Sequence, residues 1–336
     1  MTKKINMKLF AAAASLASLS VALLAAELVV RIAAPAYDPS TLLRFHYDPV
    51  LRITLGPPDT VIRNPSNVAD GSVPVAFNHL GFRDSREVGD MGPDDWFALG
   101  DSLSFGWGVP VEDGVVARVE RLIGSKIYNM SIPGAATEWP RRIRYAIDSG
   151  ARPRRFLIFH SMGLLAKREP VVPAKTSPFT LSEVKRRLKT HSILYRLIAS
   201  VVKDHPLWEV KAAAWGLVQA KPHTDRRAAF ESCLRTVKSL ASTVPETVVV
   251  MLPSPELWRG SGEVDELYRD YLLSLKTAGI ETVDLRPDFE AGGDPIEYFF
   301  TFKNDDGHWN VAGHALAAEV VARYLLNRKA VTGAGL

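Results

Sequence analysis

The sequence contains a single cysteine, Cys233, among its 336 residues. One cysteine cannot form a disulfide bond within the chain, and no Cys/His spacing typical of a metal site occurs. The stretch around Cys233 has helical periodicity, so we interpret the cysteine as a half-buried helix residue. The sequence also shows no internal repeat. It therefore predicts neither a disulfide scaffold nor a repeat protein, and it implies no metal and no cofactor.

A strong charge of either sign is also missing. The chain has 41 Lys and Arg against 37 Asp and Glu, which gives a formal net charge of +4. Three of the basic residues, Lys3, Lys4 and Lys8, stand in the first segment, so the remainder is close to neutral. We therefore do not expect nucleic acid as a partner. The apolar share of 47% is that of a globular chain that can bury a sizeable core.

A long uncharged run stands near the N-terminus, from Leu9 to Ala26, and continues through Glu27 to Ile32. It has the length of a membrane-spanning helix and the position of a signal peptide. Because lysines precede it, we expect the N-terminus inside and the remainder outside the membrane. We favour an uncleaved single-pass anchor over residues 1–34, with a periplasmic or extracellular domain. The alternatives are secretion after cleavage near Ala34-Pro35-Ala36 and a buried core helix.

The remainder of the chain divides by its residue patterns. Residues 35–95 are rich in turn-forming residues, which predicts an irregular lead-in that packs on the domain. Over residues 96–328, short apolar strands alternate with helical patterns, as in a parallel sheet covered on both faces. We therefore predict an α/β domain with about five parallel strands. These strands are Trp96–Leu99, Ile127–Met130, Phe156–Phe159, Thr247–Leu252 and Glu281–Asp284.

A long insertion, residues 169–224, interrupts this alternation. Its periodicity predicts three helices, at Leu181–Thr190, Ile193–Val202 and around Trp208–Gln219. It also carries a basic cluster, which is either a solvated helix face or a contact with anionic lipid headgroups. The cluster comprises Lys185, Arg186, Arg187 and Lys189.

A serine follows the first strand, in the segment Gly100-Asp101-Ser102-Leu103. Ligands of parallel sheets bind at the carboxyl ends of the strands, so Ser102 is placed where a substrate would meet it. Gly100 relieves crowding of the backbone beside it. A serine in such a turn is often only a cap or a turn residue, so this segment alone predicts little.

A second segment near the C-terminus, Asp305-Asp306-Gly307-His308, supplies the groups that a serine nucleophile needs. Such a serine requires a base, usually histidine, and the histidine requires an acceptor that holds its tautomer. Asp305 is three residues from His308 and can face it across a turn, whereas Asp306 is less well aimed. His314 falls within the pattern of the last helix, and we interpret it as a packing residue. The candidate catalytic residues are therefore Ser102, His308 and Asp305.

In their order along the chain, these segments resemble the motifs of the SGNH/GDSL hydrolases, and specifically a membrane-anchored bacterial subgroup. Gly100–Leu103 resembles the first motif, Asn129–Gly134 the glycine motif and Asp305-x-x-His308 the last motif. The resemblance covers about residues 75–328 and includes Asn78-x-x-Gly81-Phe82-Arg83-Asp84. It implies a three-layer α/β/α flavodoxin-like fold. It also implies that the backbone N–H groups of Ser102 and Gly134 bind the oxyanion.

One segment departs from the family pattern. The family usually has Gly-Asn-Asp after the third strand, with the asparagine as an oxyanion donor, whereas this chain reads His160-Ser161-Met162-Gly163. A thioether donates no hydrogen bond, and the loss of one such donor typically costs about 10²–10³ in rate. Either Ser161 or His160 replaces the donor, or the enzyme is slow, or the site has lost its activity.

We interpret the chain as an extracytoplasmic serine esterase or O-acyl (acetyl) transferase that acts on an ester of a cell-surface or exported carbohydrate. Hydrolysis and transfer use the same triad, so the motifs leave both open. One alternative is a catalytically impaired SGNH-like protein that binds carbohydrate or serves in assembly, in which Met162 marks the inactive site. A structural anchor protein that merely retains the fold is the other.

The first prediction concerns topology. A reporter that is active only outside the cytoplasm, fused after Leu336, should be active, because Lys3, Lys4 and Lys8 keep the N-terminus inside. A reporter that is active only in the cytoplasm serves as the matched control. Activity of the cytoplasmic reporter at that end would contradict the extracytoplasmic placement.

Overall fold

A computed structural model describes the chain over residues 2–33, 43, 45–64, 73–92, 94–161, 184, 188, 191–195, 197–198, 226–244, 246–259, 262–300 and 307–333. It contains two compact units. One comprises residues 1–42 with 173–223, and the other comprises residues 43–172 with 224–336. The predicted helix Trp208–Gln219 lies outside the described residues, as do most positions of the other two insertion helices and all four residues of the basic cluster.

The helices and strands are numbered in chain order. The strands are β1 (His46–Asp48), β2 (Ile53–Leu55), β3 (Val61–Asn64), β4 (Val73–Ala76), β5 (Trp96–Leu99), β6 (Ile127–Asn129), β7 (Arg155–Ser161), β8 (Glu246–Leu252) and β9 (Glu281–Asp284). The α-helices are α1 (Thr2–Ala33), α2 (Ser102–Phe105), α3 (Val115–Ile123), α4 (Trp139–Asp148), α5 (Arg226–Thr243), α6 (Glu256–Arg259), α7 (Gly262–Thr277), α8 (Arg286–Ala291) and α9 (Val311–Gly333).

The first unit begins with the long helix α1. Its stretch Phe10–Ala33 has 24 residues and a mean hydropathy of 2.0, and none of its most apolar window is buried inside the protein. A helix of 20 or so apolar residues is long enough to cross the hydrocarbon core of a bilayer. A signal sequence at this position has the same length and composition, so helix α1 by itself fits both an anchor and a leader.

The second unit is built on a five-stranded sheet in the order β6-β5-β7-β8-β9. Every neighbouring pair in it is parallel. The predicted α/β fold with a five-stranded parallel sheet is therefore confirmed. Strand β5 lies next to the β6 edge and is buried along its whole length, and β7 and β8 form the centre with near-continuous apolar sequences. Such sequences are typical of strands that are covered on both faces.

Successive side chains of the strands enter two separate cores. Leu157 and Phe159 of β7 pack with helices α3 and α9, whereas Phe156 and Ile158 pack with helices α4, α5 and α7. This alternation follows from the two-residue period of a strand. Helices therefore cover both faces, which gives the three α/β/α layers that the resemblance implied. Cys233 is fully buried in α5 rather than half-buried, because that helix packs under the sheet, and burial raises the pKa of its thiol to about 12.

The lead-in is more regular than its sequence indicates. Strands β1 and β2 form one antiparallel ribbon, and β3 and β4 form another. In β4, buried and exposed residues alternate, and Val75 and Phe77 join the core on the α4 side of the sheet. The apolar residues between the turns of this segment therefore close one end of the core.

The start of the last helix, α9, depends on close packing at Gly313. A Cβ atom at this position would lie 2.4 Å from the Tyr298 carbonyl oxygen and 3.0 Å from Trp309 Cβ. Real Cβ atoms do not approach backbone oxygens so closely, so only glycine fits without a shift of the chain.

We therefore expect Gly313→Ala to lower the free energy of unfolding by about 1–3 kcal/mol, since the clash outweighs the better helix propensity of alanine. Gly262→Ala, in helix α7, is the matched control, because a Cβ there meets no heavy atom of the described chain within 4 Å. Urea unfolding of the two variants should show a loss for Gly313→Ala and no loss for Gly262→Ala. Equal midpoints would refute the packing argument.

Candidate active site

Ser102 stands at the carboxyl end of strand β5, as the first residue of helix α2. The turn before it requires glycine, because a Cβ at Gly100 would lie 2.0 Å from Ser104 Oγ and 2.9 Å from the Phe159 carbonyl oxygen. Asp101 caps the helix, with Oδ1 accepting from Leu103 N–H at 2.9 Å. The backbone at Ser102 is therefore fixed by close packing at Gly100 and by the helix cap of Asp101.

The second carboxylate oxygen of Asp101 accepts a hydrogen bond from the Ser161 hydroxyl, and both side chains are buried. This bond joins the end of strand β7 to the serine turn. Ser161 was a candidate replacement for the missing oxyanion donor. Its one hydroxyl proton points to Asp101, so it can serve an oxyanion only if this bond breaks.

His160, the other candidate replacement, points to the opposite face of the sheet from Ser161. Its ring is fully buried, 4.3 Å from the ring centre of Tyr271 and edge-on to Trp139. Burial lowers its pKa to about 4, so the ring is neutral at pH 7. The position of this histidine is that of a core residue.

His308 lies on the short loop that enters helix α9, and the backbone on both sides of it is held. Phe300 N–H donates to the His308 carbonyl at 3.0 Å, and Trp309 forms a bridge with Phe299. Asn310 donates from Nδ2 to the Glu297 carbonyl at 2.6 Å and accepts the Gly313 N–H on Oδ1 at 3.0 Å. One asparagine therefore both caps helix α9 and fastens the His308 loop.

Trp107 connects the two candidate catalytic residues. Its backbone N–H donates to the Ser102 carbonyl at 3.0 Å. Its ring stacks on His308, with ring centres 5.6 Å apart and planes inclined by 24°. The structure therefore brings Ser102 and His308 to the same end of the domain.

Several predicted site residues lie outside the described part of the chain. They are Asp305, Asp306, Met162 and Gly163. The orienting role of Asp305 and the consequence of Met162 therefore stay predictions.

His314 is excluded as the base by its surroundings. Its ring is fully buried, and Nδ1 accepts the backbone N–H of Val115 at 3.2 Å. Val115 is the first residue of helix α3, and the preceding Gly114 has no side chain with which to cap that helix. Burial lowers the His314 pKa to about 3, which keeps the ring a neutral acceptor. His314 is therefore a capping and packing residue, in agreement with its interpretation from the sequence.

The glycine-motif loop follows strand β6 beside the serine turn. Asn129 donates from Nδ2 to the Ser104 carbonyl at 3.1 Å and accepts from Ser131 N–H on Oδ1 at 3.1 Å. At Gly134, a Cβ would lie 3.3 Å from both Arg142 Nη2 and Glu138 Oε1, which form a fully buried ion pair. Gly134 is therefore backed closely by a buried ion pair, which would have to shift slightly to admit a side chain.

Two neighbouring residues of the segment Asn78–Asp84 contact the loops of the candidate site. Arg83 donates to backbone carbonyls of the loop after Ser102, and Asp84 accepts the backbone N–H of Asn129. The signal in the sequence was the segment Asn78–Asp84, whose pattern does not reveal what an arginine and an aspartate contact. Only the fold shows that backbone groups of both candidate-site loops form hydrogen bonds with this pair.

Similarity to a known family model lies in the C-terminal part of the chain. Residues 249–335 match the model of the SGNH hydrolase-like domain of the acetyltransferase AlgX. No curated protein matches the chain.

The solved structures that resemble this one include three bacterial proteins. A putative lipolytic protein of the G-D-S-L family from Desulfitobacterium hafniense is 14% identical, covers 68% of this chain and 98% of its own, and has a TM-score of 0.41. A lipase/acylhydrolase from Enterococcus faecalis is 13% identical, covers 70% of this chain and 96% of its own, and has a TM-score of 0.42. An acetylxylan esterase from Geobacillus stearothermophilus is 15% identical, covers 71% of this chain and 95% of its own, and has a TM-score of 0.41.

The likeness to the SGNH/GDSL hydrolases lies in features of the chain itself. The parallel sheet carries the Gly-Asp-Ser turn after β5 and the glycine-motif loop after β6. The segment that ends in His308 and helix α9 lies within the matched SGNH hydrolase-like domain. In its sheet and in the order of its motifs the chain resembles the SGNH/GDSL hydrolases, and residues 249–335 match the SGNH hydrolase-like domain.

Proposed function

We propose that the chain is an ester-acting serine hydrolase or O-acyl transferase in which Ser102 is the nucleophile and His308 the base. The observation that carries this proposal is the contact of Trp107 with both residues, through its N–H to the Ser102 carbonyl and its ring on His308. The match of residues 249–335 to an SGNH hydrolase-like domain supports ester chemistry in general. Ser102 is 8% exposed, so it is nearly buried at the sheet edge.

In the proposed reaction, Ser102 Oγ attacks the ester carbonyl carbon while His308 removes the hydroxyl proton. The tetrahedral intermediate collapses when the bond to the alcohol oxygen breaks, and His308 returns the proton to that oxygen. An acyl-enzyme remains on Ser102. Water then attacks it in hydrolysis, and a second hydroxyl attacks it in transfer, with His308 again acting as base. Asp305 is proposed to orient the imidazole, on the strength of its spacing alone.

The proposed oxyanion donors are backbone groups. The Ser102 N–H belongs to the first turn of helix α2, so no carbonyl of that helix accepts it. The Gly134 N–H is the second proposed donor, held by the packing of Glu138 and Arg142 behind it. Fixed backbone donors stabilise the developing charge without reorganisation, which is why such groups are effective in acyl transfer.

The proposed substrate is an acetylated or otherwise acylated carbohydrate of the cell surface or an exported one. Support comes from the names of similar proteins, an acetyltransferase for residues 249–335 and an acetylxylan esterase among the solved structures. The apolar helix α1, with lysines before it, supports a domain outside the cytoplasm. An acyl donor or acceptor in the envelope would meet a membrane-anchored enzyme there.

Ser102→Ala is the direct test of this mechanism. We expect it to lower turnover of a short-chain nitrophenyl ester by about 10⁴-fold or more and to abolish labelling by a fluorophosphonate probe, because no other group supplies the nucleophile. Stability should change by no more than about 1 kcal/mol, since the change removes one small atom. Ser104→Ala, on the same helix, is the matched control and should retain labelling.

Equal labelling of wild type and Ser102→Ala would remove Ser102 from the mechanism. Wild-type protein that is folded yet neither labelled nor active would instead favour the impaired, carbohydrate-binding alternative, and isothermal titration with acylated oligosaccharides would then be the next measurement.

A further inference from the structure

The segment Asn78–Asp84 of the lead-in forms a rigid turn on the domain. Asn78 Oδ1 accepts the N–H groups of Leu80 and Phe82 at 3.1 and 3.0 Å, and Gly81 takes a φ of +81°. Phe82 is fully buried in the core. A side-chain acceptor, a glycine and a buried ring hold the turn, so the two residues that end it have fixed directions.

Arg83 extends from this turn under the loop that follows the serine helix. Its guanidinium is buried and donates to the carbonyls of Phe105 and Val109, each at 2.9 Å, and to that of Gly106. Burial lowers its pKa to about 10, which leaves it charged at pH 7. Three charge-assisted hydrogen bonds thus fix the loop that contains Trp107, the residue that touches both Ser102 and His308.

Asp84 holds the other loop. Its Oδ2 accepts the backbone N–H of Asn129 at 3.0 Å, and Arg86 pairs with the same carboxylate at 2.9 Å. Asn129 begins the glycine motif and also donates to the Ser104 carbonyl. Arg83 and Asp84 are adjacent in the chain, so one short segment holds both loops of the site.

We propose that Arg83 and Asp84 are positioning residues that fix the spacing between the Ser102 loop and the Gly134 loop, and with it the two oxyanion donors. This inference rests on the proposed function. A displacement of about 1 Å in a reacting group can cost about 10²-fold in rate, so a brace between two donor loops acts on kcat more than on substrate binding.

The experiment compares Arg83→Met, Arg83→Lys and Asp84→Asn with wild type. With a soluble nitrophenyl acetate, Arg83→Met should lower kcat by about 10–100-fold with little change in KM, and Arg83→Lys should recover part of the loss because it keeps a buried charge. Tyr268→Phe is the control, since it removes a buried hydrogen bond of 2.6 Å to Asp284 away from both loops. It should leave kcat unchanged.

Hydrogen exchange supplies a readout that does not depend on catalysis. In Arg83→Met, amides of residues 105–109 should exchange faster, while those of β8 should not. Unchanged exchange there, or a kcat loss no larger than that of Tyr268→Phe, overturns the brace. If wild type is not labelled by the fluorophosphonate probe while Arg83→Met still exchanges faster, the proposed function is rejected. The role of Arg83 in fixing the loop is then still supported.

A second inference concerns the first unit, where helix α1 holds part of the insertion. Glu27 accepts the N–H groups of Ile193 and Leu194 at 2.9 and 3.0 Å and the Ser192 hydroxyl at 2.7 Å. Arg31 pairs with Glu27 at 2.9 Å and donates to the His191 carbonyl at 2.7 Å. A carboxylate in an apolar helix is therefore used as a cap for backbone groups of the insertion.

An apolar groove of about 520 Å³ lies beside this cap. Leu23 and Leu24 of helix α1 line one wall, and Leu188, Leu194 and Ile198 of the insertion line the other. The same leucines of α1 are exposed on the membrane-length stretch of that helix. If α1 spans a bilayer, its exposed apolar face contacts lipid tails, and the groove is continuous with that face.

We infer that the N-terminal helix stays attached in the mature protein and that the groove is filled by an acyl chain of a membrane lipid. Removal of the helix would uncap Ser192–Leu194 and expose the insertion's apolar wall.

The test uses the full chain with Cys233→Ser, reconstituted in phosphatidylcholine vesicles. An environment-sensitive fluorophore on Ile198→Cys should be quenched more strongly by nitroxides on lipid tails than by iodide in water. The same label on Leu273→Cys, an exposed leucine of the other unit, serves as the reference for a position that faces water and is quenched by iodide. Glu27→Leu should shift the label at position 198 toward iodide quenching, because the insertion loses its cap.

Equal quenching patterns at positions 198 and 273, or no response to Glu27→Leu, overturn this inference. A mature N-terminus beyond Ala33, found by mass spectrometry of the purified protein, overturns it as well.

Discussion

The site depends on the turn between strand β5 and helix α2. Gly100 leaves no space for a side chain, because Ser104 and the β7 backbone occupy it. Asp101 then uses one oxygen to cap the helix and the other to accept from Ser161 at the end of β7. The turn is thereby tied to the neighbouring strand, and Ser102 is held at the sheet edge by contacts that do not include its own hydroxyl.

Polar side chains of the lead-in hold the loops around that turn by hydrogen bonds. Loops at the carboxyl edge of a parallel sheet are usually the variable part of the fold. Here the Arg83 guanidinium donates to three loop carbonyls. The Asp84 carboxylate accepts the N–H of Asn129, the last residue of β6 before the glycine-motif loop. The buried cation costs desolvation energy, which the charge-assisted hydrogen bonds offset. The turn that follows strand β4 therefore holds both loops of the candidate site in place.

The histidines show how burial separates similar residues. His160 and His314 are fully buried and have lowered pKa values, the first against Tyr271 and the second as a cap for helix α3. His308 is the one among these three that lies against Trp107 at the mouth of the serine turn. A base must reach both substrate and nucleophile, and only a residue at this edge can do so. Of these three histidines, only His308 therefore remains as a candidate base.

Much of this arrangement could be predicted from the sequence. Alternating apolar strands and helices determined the α/β class, because a strand buried on both faces must be apolar throughout. The Gly-Asp-Ser and His308 segments predicted where the candidate site lies, because motif residues at strand ends converge at one sheet edge. What only the tertiary structure decided are the partners of single polar atoms: Ser161 on Asp101, Arg83 on three carbonyls, Glu27 on the insertion. Such bonds join residues far apart in the chain, and no local pattern encodes which distant backbone group a side chain will meet.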